Sequence, residues 1–275
     1  MKTNDIYSPQ DIKRFSIEEL EELVRQIRLS IRPRTSSIGG SISPNLGVME
    51  ALTAMHYSFD PFHDKIVIDV PHQDFPHKTL TGRGYSFLSD DRYRRMNEQP
   101  DPLLCPEYDL FYASHTAPAL SLCIDLARAR QTARADYNIV AFVGDGSLCG
   151  GDAFESLDCG SDVKGSLVVI FNDTLTSFAP CSGGMHAKLQ QLRDTHGTAP
   201  DNIFKAFGWG YFYVEDGNDI GMCISAMEKA REMNGPVLVH VNTHNCAISV
   251  QGEPTAETML WPSPFAAAVE EKEIV

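Results

Sequence analysis

Two apolar runs, each ending in a small polar cluster, constrain the fold of this chain more than any other feature. The first run, residues 138–143, reads NIVAFV and leads into Gly-Asp-Gly at 144–146. The second, residues 166–171, reads SLVVIF and leads into Asn-Asp-Thr at 172–174. Each run predicts a buried strand, and the small-residue turn and helical spacing between them predict a crossover helix. Because such a unit makes its two strands parallel, we expect both clusters at one edge of a sheet.

The two clusters have the chemistry of a metal–diphosphate site. Glycines let the backbone approach a phosphate, and helix N-termini present N–H groups to it. The carboxylate of Asp145 would be a natural ligand of Mg²⁺, a cation that prefers oxygen and binds substrate phosphates. Gly-Asp-Gly alone is more often an ordinary strand–turn–helix with a capping Asp, and the second cluster is what favours the metal site.

The rest of the chain alternates strand and helix patterns, which predicts a doubly wound, mostly parallel α/β sheet flanked by helices. We interpret residues 1–275 as a single domain with a short, extended N-terminal arm over 1–15 and a tail from 251. A capping box at Ser16 and Glu19 predicts the start of a helix that is expected to end at Arg32-Pro33. The remaining predictions are a Gly/Ser loop at 35–45, helices at 47–57, 114–129, 188–193, 203–209 and 219–234, strands at 66–70, 210–215 and 237–241, and an irregular excursion at 83–110.

Composition excludes several classes of protein. The formal net charge of −14 argues against a nucleic-acid partner, because phosphate contacts need clustered Lys and Arg. The seven cysteines are scattered, odd in number and without a Cys-x-x-Cys pair, which argues against a disulfide framework or a structural zinc site. The N-terminal residues lack the apolar core of a signal peptide, and no apolar run approaches the ~20 residues of a membrane span. We therefore expect a cytoplasmic protein without a membrane partner.

A histidine-rich loop follows the predicted strand at 66–70. It reads PHQDFPHK over 71–78. One such histidine is more often a surface residue or a loop anchor, but two with a lysine between prolines indicate a functional loop. Ser114 and His115 open a long helical pattern whose N-terminus would suit an anion.

These stretches resemble one enzyme family. The sequence DVPHQDFPHKTLTGR at 69–83 is similar to the loop of 1-deoxy-D-xylulose-5-phosphate synthases, members of the transketolase-like thiamine-diphosphate enzymes. The same likeness extends from about residue 16 to about 245 and includes LGVME at 46–50, HY at 56–57, SH at 114–115 and GDGSLCGGDAFE at 144–155. The resemblance implies the N-terminal, diphosphate-binding domain of such an enzyme, with thiamine diphosphate and Mg²⁺ as cofactors.

The resemblance also implies roles for particular residues. The implied metal ligands are Asp145, Thr174 and the main-chain oxygen of Thr176. The implied cofactor contacts are His72, His115, Thr116, Ala117, Gly144, Asp145, Gly146, Ser147 and Thr174. Of these, His72 and His115 line the channel and are the expected catalytic proton carriers, since imidazole titrates near neutral pH.

Three positions depart from the family pattern. The family's metal-binding Asn is replaced by Thr174, and Asp173 next to it is an alternative ligand. A histidine of the family's first loop is replaced by Ser41, which cannot carry protons near pH 7. A basic turn after the last strand is replaced by THNC at 243–246. These changes put standard deoxyxylulose-phosphate synthesis in doubt.

The chain ends where relatives continue into a pyrimidine-binding domain and a third domain. We therefore expect the diphosphate-domain subunit of a split thiamine-diphosphate enzyme, paired with a separate subunit as an α₂β₂ assembly. It would form a C–C bond by transferring a two-carbon acyl or ketol unit, from pyruvate or a ketose phosphate, to an aldehyde or related acceptor in specialised biosynthesis. The alternative is a non-catalytic structural or regulatory subunit of the same fold with weakened cofactor binding.

Overall fold

A five-stranded parallel sheet forms the centre of the molecule. The structure, a computed structural model, describes residues 6, 8–38, 43–69, 74–95, 100–112, 118–174 and 183–243, and gives only the backbone course of 32–38 and 43–44. The strands lie in the order β1-β2-β3-β5-β4, and every neighbouring pair is parallel. They are β1 Lys65–Ile68, β2 Ile139–Gly144, β3 Leu167–Asp173, β4 Gly210–Val214 and β5 Pro236–Asn242. The predicted α/β class with a parallel sheet is confirmed.

Helices cover the sheet and connect its strands. They are α1 Ile17–Ile38, α2 Ser43–Gly47, α3 Met49–Ser58, α4 Phe75–Lys78, α5 Asp90–Arg95, α6 Pro118–Ala133, α7 Asp145–Leu148, α8 Gly151–Gly160, α9 Gly184–Asp194, α10 Ile203–Ala206 and α11 Ile220–Arg231. Two 3₁₀ segments, Pro9–Arg14 and Gly84–Leu88, and a π turn at Thr79–Arg83 complete the described part. Within it, no helix has the length and apolar character needed to cross a membrane.

Two apolar cores pack against the two faces of the sheet. Val140 and Phe142 of β2 belong to the core shared with α1, α3 and α11. Ala141 and Val143 belong to the core shared with α6, α8 and α9, because successive side chains of a strand point to opposite faces. Full burial of a side chain such as Phe142 stabilises the fold by roughly 1.5–3 kcal/mol. This three-layer packing buries every residue of β2, β3 and β5.

The register of the central strands aligns the two polar clusters. Gly144 of β2 pairs with Asn172 of β3, so the two strands end almost level. The chain leaves β2 into Asp145 and leaves β3 into Thr174. The predicted meeting of the two clusters at one sheet edge is therefore confirmed.

The N-terminal segment differs from the extended arm that we predicted. Residues Pro9–Arg14 form a 3₁₀ helix, and Ile6 and Ile12 are buried. The main-chain N–H of Ser8 donates to Asp11 Oδ2 at 2.9 Å, and Pro9 occupies the first helical position. A polar cap followed by proline is a helix-start signal, and it decides the local structure here.

Helix α1 passes the predicted stop at Arg32-Pro33 and ends at Ile38. Its start is as predicted, because the N–H of Ser16 donates to Glu19 Oε2 at 2.8 Å and the N–H of Glu19 to Ser16 Oγ at 3.3 Å. A proline removes a single main-chain donor, and a helix can continue past it when the remaining hydrogen bonds form. With α2 beginning at Ser43, the predicted loop over 35–45 is wrong for most of its length.

The predicted irregular excursion is wrong at its N-terminal half. The second 3₁₀ segment and α5 lie there, and they are held by an aromatic cluster. The ring centroids of Phe75 and Phe87 are 5.4 Å apart, and those of Phe87 and Tyr93 are 5.8 Å apart. Likewise 75–78, expected as a loop, forms α4. Tertiary packing of aromatic rings orders both segments, and the spacing of residues along the chain does not reveal it.

Candidate functional site

Asp145 and Thr174 contact each other at the carboxyl edge of the sheet. The hydroxyl of Thr174 donates to Asp145 Oδ2 at 2.7 Å, and the main-chain N–H of Thr174 lies 3.3 Å from the same oxygen. The other carboxylate oxygen accepts the N–H of Gly146 at 2.7 Å. Asp145 is thus fixed in orientation while its side chain remains partly exposed. The structure brings together two of the three predicted metal ligands.

The turn around Asp145 has room for a ligand. A Cβ placed on Gly146 or Gly151 would meet no atom within 4 Å. The Oγ of Ser147 is buried and has no hydrogen-bond partner in the described structure. Open space beside glycine backbone and an unsatisfied hydroxyl fit the approach of a phosphate oxygen.

The donor atoms at this turn also fit Mg²⁺. The Asp145 carboxylate and the Thr174 hydroxyl are both oxygens, which Mg²⁺ requires. Among the described residues there is no group of three His, Cys, Asp or Glu side chains that could hold a metal. A bound Mg²⁺ would therefore need diphosphate oxygens, water or main-chain oxygens, as is usual for magnesium–phosphate sites.

Asp173 does not point into this site. The residue is 1% exposed, and its Oδ2 accepts from Arg193 at 2.5 Å and from His240 Nε2 at 2.8 Å. His240 also contacts the hydroxyl of Tyr211 at 2.8 Å. Successive residues of a strand face opposite sides of the sheet. Because Arg193 and His240 hold Asp173 on one side, Thr174 faces the other side, where Asp145 lies. The alternative that Asp173 serves as the metal ligand does not fit this geometry.

The buried pair formed by Asp173 and His240 has shifted pKa values. Burial by itself raises the pKa of Asp173, but hydrogen bonding to His240 and the charges of His240 and Arg193 outweigh it and lower the pKa below its usual range. Burial lowers the pKa of His240, and its hydrogen bond to Asp173 opposes that shift only in part. An ionised Asp173 is thus held in place by Arg193, and it anchors the end of β3.

Two further polar contacts fix the same sheet edge. Asp69, which follows β1, accepts the N–H of Ala119 in the first turn of α6 at 3.0 Å. The hydroxyl of Thr243, which follows β5, donates to Asn172 Oδ1 at 2.6 Å. Neither role was predicted, because the partners lie 50 and 71 residues apart in the sequence. For Asp69, the one available signal in the sequence was an Asp directly after a predicted strand.

His56 forms a buried pair with His77, which belongs to the predicted histidine loop. His56 Nε2 and His77 Nδ1 are 2.8 Å apart, and His77 Nε2 lies 3.5 Å from Asp109 Oδ1. Asp109 in turn accepts from Arg83 at 2.7 Å. Burial, followed by the nearby His77, holds the pKa of His56 well below its usual range. The sequence loop therefore contributes His77 to an internal polar chain, a role that we did not predict.

Several predicted site residues lie outside the described residues. They are His72, His115, Thr116, Ala117 and Thr176, together with Ser41 and the turn residues 244–246. Their assigned roles stay predictions. Gly144, Asp145, Gly146, Ser147 and Thr174 all lie at the turn described above.

The architecture and the position of this turn define a class of fold. The chain is similar to transketolase from Campylobacter jejuni, with a TM-score of 0.70 and 17% identity over 94% of this chain and 43% of that one. It is similar to transketolase from Leishmania mexicana, with a TM-score of 0.63 and 18% identity over 83% of this chain and 37% of that one. At these identities the likeness shows the transketolase-like, thiamine-diphosphate-binding fold.

Sequence comparison gives the family. A family model described as 1-deoxy-D-xylulose-5-phosphate synthase matches residues 3–200 and 195–243. The synthase of Listeria monocytogenes is 35% identical over 244 residues, 86% of this chain and 40% of that protein. The synthase of Symbiobacterium thermophilum is 30% identical over 295 residues, 94% of this chain and 45% of that protein. The chain belongs to the 1-deoxy-D-xylulose-5-phosphate synthase family, and it spans less than half the length of these relatives.

Proposed function

We propose that this chain binds the diphosphate end of thiamine diphosphate through Mg²⁺, as part of an enzyme that transfers a two-carbon unit. The observation that carries the proposal is the contact between Asp145 and Thr174 at a glycine-lined turn with open space beside it. Membership of a family of thiamine-diphosphate-dependent enzymes supports the identity of the cofactor.

The residues of the turn would act by binding and orientation. Asp145 would hold the metal, with the Thr174 hydroxyl as a second oxygen ligand and Ser147 Oγ as a donor to a diphosphate oxygen. The bound cofactor would supply the carbanion chemistry of C–C bond formation. His72 and His115 would move protons to and from the substrate, since imidazole changes charge near neutral pH.

Binding of thiamine diphosphate to the Asp145→Asn variant tests this proposal. The amide keeps the size of the carboxylate but removes its charge, so we expect Mg²⁺-dependent affinity to fall at least about 100-fold, or roughly 2.7 kcal/mol. Asp158→Asn, at an exposed position near the end of α8, is the matched control and should bind normally. Calorimetric titration with and without Mg²⁺ gives both affinities, and unchanged affinity in Asp145→Asn would remove this residue as the metal anchor.

We further propose that a separate subunit supplies the pyrimidine-binding and third domains in an α₂β₂ assembly. The support is the resemblance itself, because thiamine-diphosphate sites of this kind need a pyrimidine-binding domain as well; these 275 residues span 40% and 45% of the two synthases. Replacement of the family's Asn by Thr174 supports a reaction in specialised biosynthesis, with pyruvate or a ketose phosphate as donor and an aldehyde-type acceptor. Product analysis of the assembled enzyme tests this point, and deoxyxylulose phosphate as sole product would contradict it.

The second candidate is a non-catalytic subunit of the same fold. Thr174 favours it, because a neutral hydroxyl that already donates to Asp145 is a weaker metal ligand than an amide oxygen. The same titration separates the two candidates. Absence of Mg²⁺-dependent cofactor binding, alone and with the partner subunit, would favour the non-catalytic role.

A further inference from the structure

We propose that a cationic cavity beside α5 binds a small molecule that carries a phosphate group. The cavity has a volume of about 410 Å³. It lies between α4, the 3₁₀ segment at 84–88, α5 and the turns at 101–109. Its lining residues are Lys78, Arg83, Tyr85, Ser86, Arg92, Arg95, Asp101, Leu104, Cys105 and Asp109. None of them belongs to the turn at Asp145, so the proposal does not rest on the proposed function.

The cavity carries a surplus of positive charge in a strongly acidic chain. Four cations and two carboxylates line it, whereas the whole chain has a net charge of −14. Lys78 pairs with Asp74 at 2.8 Å, and Arg83 pairs with Asp109 at 2.7 Å. In the described part of the chain, Arg92 and Arg95 form no ion pair. Three residues apart on α5, they present their charges on one side of the helix.

One oxygen of each lining carboxylate accepts hydrogen bonds from donors within the protein. Asp109 accepts from Arg83 and from the main-chain N–H of Asp101. Asp101 Oδ1 accepts from the N–H groups of Leu103 and Leu104 and from the Tyr112 hydroxyl. These bonds order the wall, and no acceptor among the described residues holds the guanidinium donors of Arg92 and Arg95, which can therefore face a ligand.

Part of the cationic wall is held rigid. Arg83 Nη2 donates to Thr81 Oγ1 at 2.9 Å, in addition to its bond to Asp109. Tyr93, between Arg92 and Arg95 in the sequence, is buried against Phe75 and Phe87 and fixes α5 to the domain. A concave, partly desolvated wall strengthens the attraction of an anion compared with an open surface.

The chemistry of the wall selects the class of ligand. Arginine presents a planar fork of donors that matches the oxygens of phosphate, and two such forks suit a doubly charged group. The ring of Tyr85 and the side chain of Leu104, 54% and 75% exposed, provide apolar surface for the body of the molecule. The volume is within the range of about 300–1,000 Å³ for small-molecule sites and exceeds the size of a bare phosphate. A phosphate monoester with an apolar or planar part fits both features.

Titration calorimetry with phenyl phosphate, inorganic phosphate and phenol tests the proposal. We expect phenyl phosphate to bind more tightly than inorganic phosphate, and phenol not to bind. The double variant Arg92→Ala/Arg95→Ala should weaken phenyl phosphate binding at least tenfold. Arg94→Ala, on the same helix but outside the cavity, is the matched control and should bind as the parent does. Circular dichroism of each variant checks that the fold is intact.

Two further variants sharpen the result. Arg92→Lys/Arg95→Lys keeps the charge but loses the forked donors, so it should give an intermediate affinity. Asp145→Asn should leave phenyl phosphate binding unchanged. Equal weakening in Arg94→Ala would assign the binding to general surface charge, and loss of binding in Asp145→Asn would assign it to the diphosphate turn. Either result, or no binding by the parent at millimolar ligand, overturns the proposal.

Discussion

At the residue scale, Thr174 is the position on which the proposed metal site depends. Its hydroxyl is satisfied by Asp145 Oδ2, and it occupies the place where the family resemblance implies an Asn. An Asn would offer an amide oxygen that needs no proton rearrangement to face a cation, whereas the Thr hydroxyl must turn its hydrogen away from the metal. We therefore expect the residue at 174 to set the affinity for the metal without changing the fold.

We predict that Thr174→Asn tightens Mg²⁺-dependent binding of thiamine diphosphate by up to about tenfold, or roughly 1.4 kcal/mol. Calorimetric titration at saturating Mg²⁺ measures the change. Thr198→Asn, at an exposed threonine whose hydroxyl donates to Thr195, is the matched control. Equal or weaker binding in Thr174→Asn would mean that the site is built around the hydroxyl.

His56 makes the stability of the fold depend on pH. Burial and then the nearby His77, Lys13 and Arg83 hold the pKa of His56 well below its usual range, so it stays neutral in the folded protein. The unfolded chain binds a proton there below about pH 6.5. Above that pH, His56 is neutral in both states and does not reduce the free energy of unfolding. Below it, protonation of the unfolded chain lowers the free energy of unfolding by at most about 1.4 kcal/mol per pH unit.

We predict that His56→Gln flattens the fall in the free energy of unfolding between pH 6.5 and 5.5. Urea denaturation at several pH values measures the slope, and it should decrease by up to about 1.4 kcal/mol per pH unit. His63→Gln is the control, because the side chain of His63 is 63% exposed. A slope that stays the same in His56→Gln would show that other groups, such as His240, carry the pH dependence.

At the scale of single elements, local signals and long-range packing decide different boundaries. The capping box at Ser16 sets the start of α1, since both of its hydrogen bonds join residues three apart. The aromatic cluster of Phe75, Phe87 and Tyr93 orders the helical turns of 84–95, and its members come from three elements. The start of α1 is therefore predictable from the sequence, whereas the order within 84–95 depends on rings that meet only in the folded chain.

We predict that Ser16→Ala destabilises the protein by about 1 kcal/mol, because the N-terminal N–H groups of α1 lose their cap. The midpoint of urea denaturation at neutral pH measures this change. Ser30→Ala, in the same helix, is the matched control: its hydroxyl only bonds back to the carbonyl of Ile27, a contact that adds little to helix stability. Similar losses in the two variants would contradict a specific capping role.

At the scale of the whole molecule, polar residues that lie far apart in the sequence meet at the carboxyl edge of the sheet. Asp69, Asp145, Thr174 and Thr243 each follow a different strand, and the parallel sheet brings all four to one side. This face would supply one half of a cofactor site, while the second half would come from outside these 275 residues. Under the split arrangement that we propose, turnover depends on a second polypeptide.

We predict that this chain alone does not consume pyruvate and that turnover begins when a subunit carrying the pyrimidine-binding and third domains is added. Rates measured against the ratio of the two polypeptides should saturate at one to one, with light scattering giving the mass of an α₂β₂ assembly. The Asp145→Asn chain with the same partner is the control and should stay inactive. Pyruvate consumption by this chain alone would contradict the split arrangement.

The sequence by itself determined the parallel α/β fold, the family and the turn at Gly144–Ser147, because apolar periodicity and short motifs are local properties of the chain. It also placed Asp145 and Thr174 at one edge, since adjacent parallel strands end together. Only the tertiary structure decided which way the neighbouring residues face. Asp173 turns inward because Arg193 and His240, from a different helix and strand, hold its carboxylate, and that packing leaves Thr174 with Asp145.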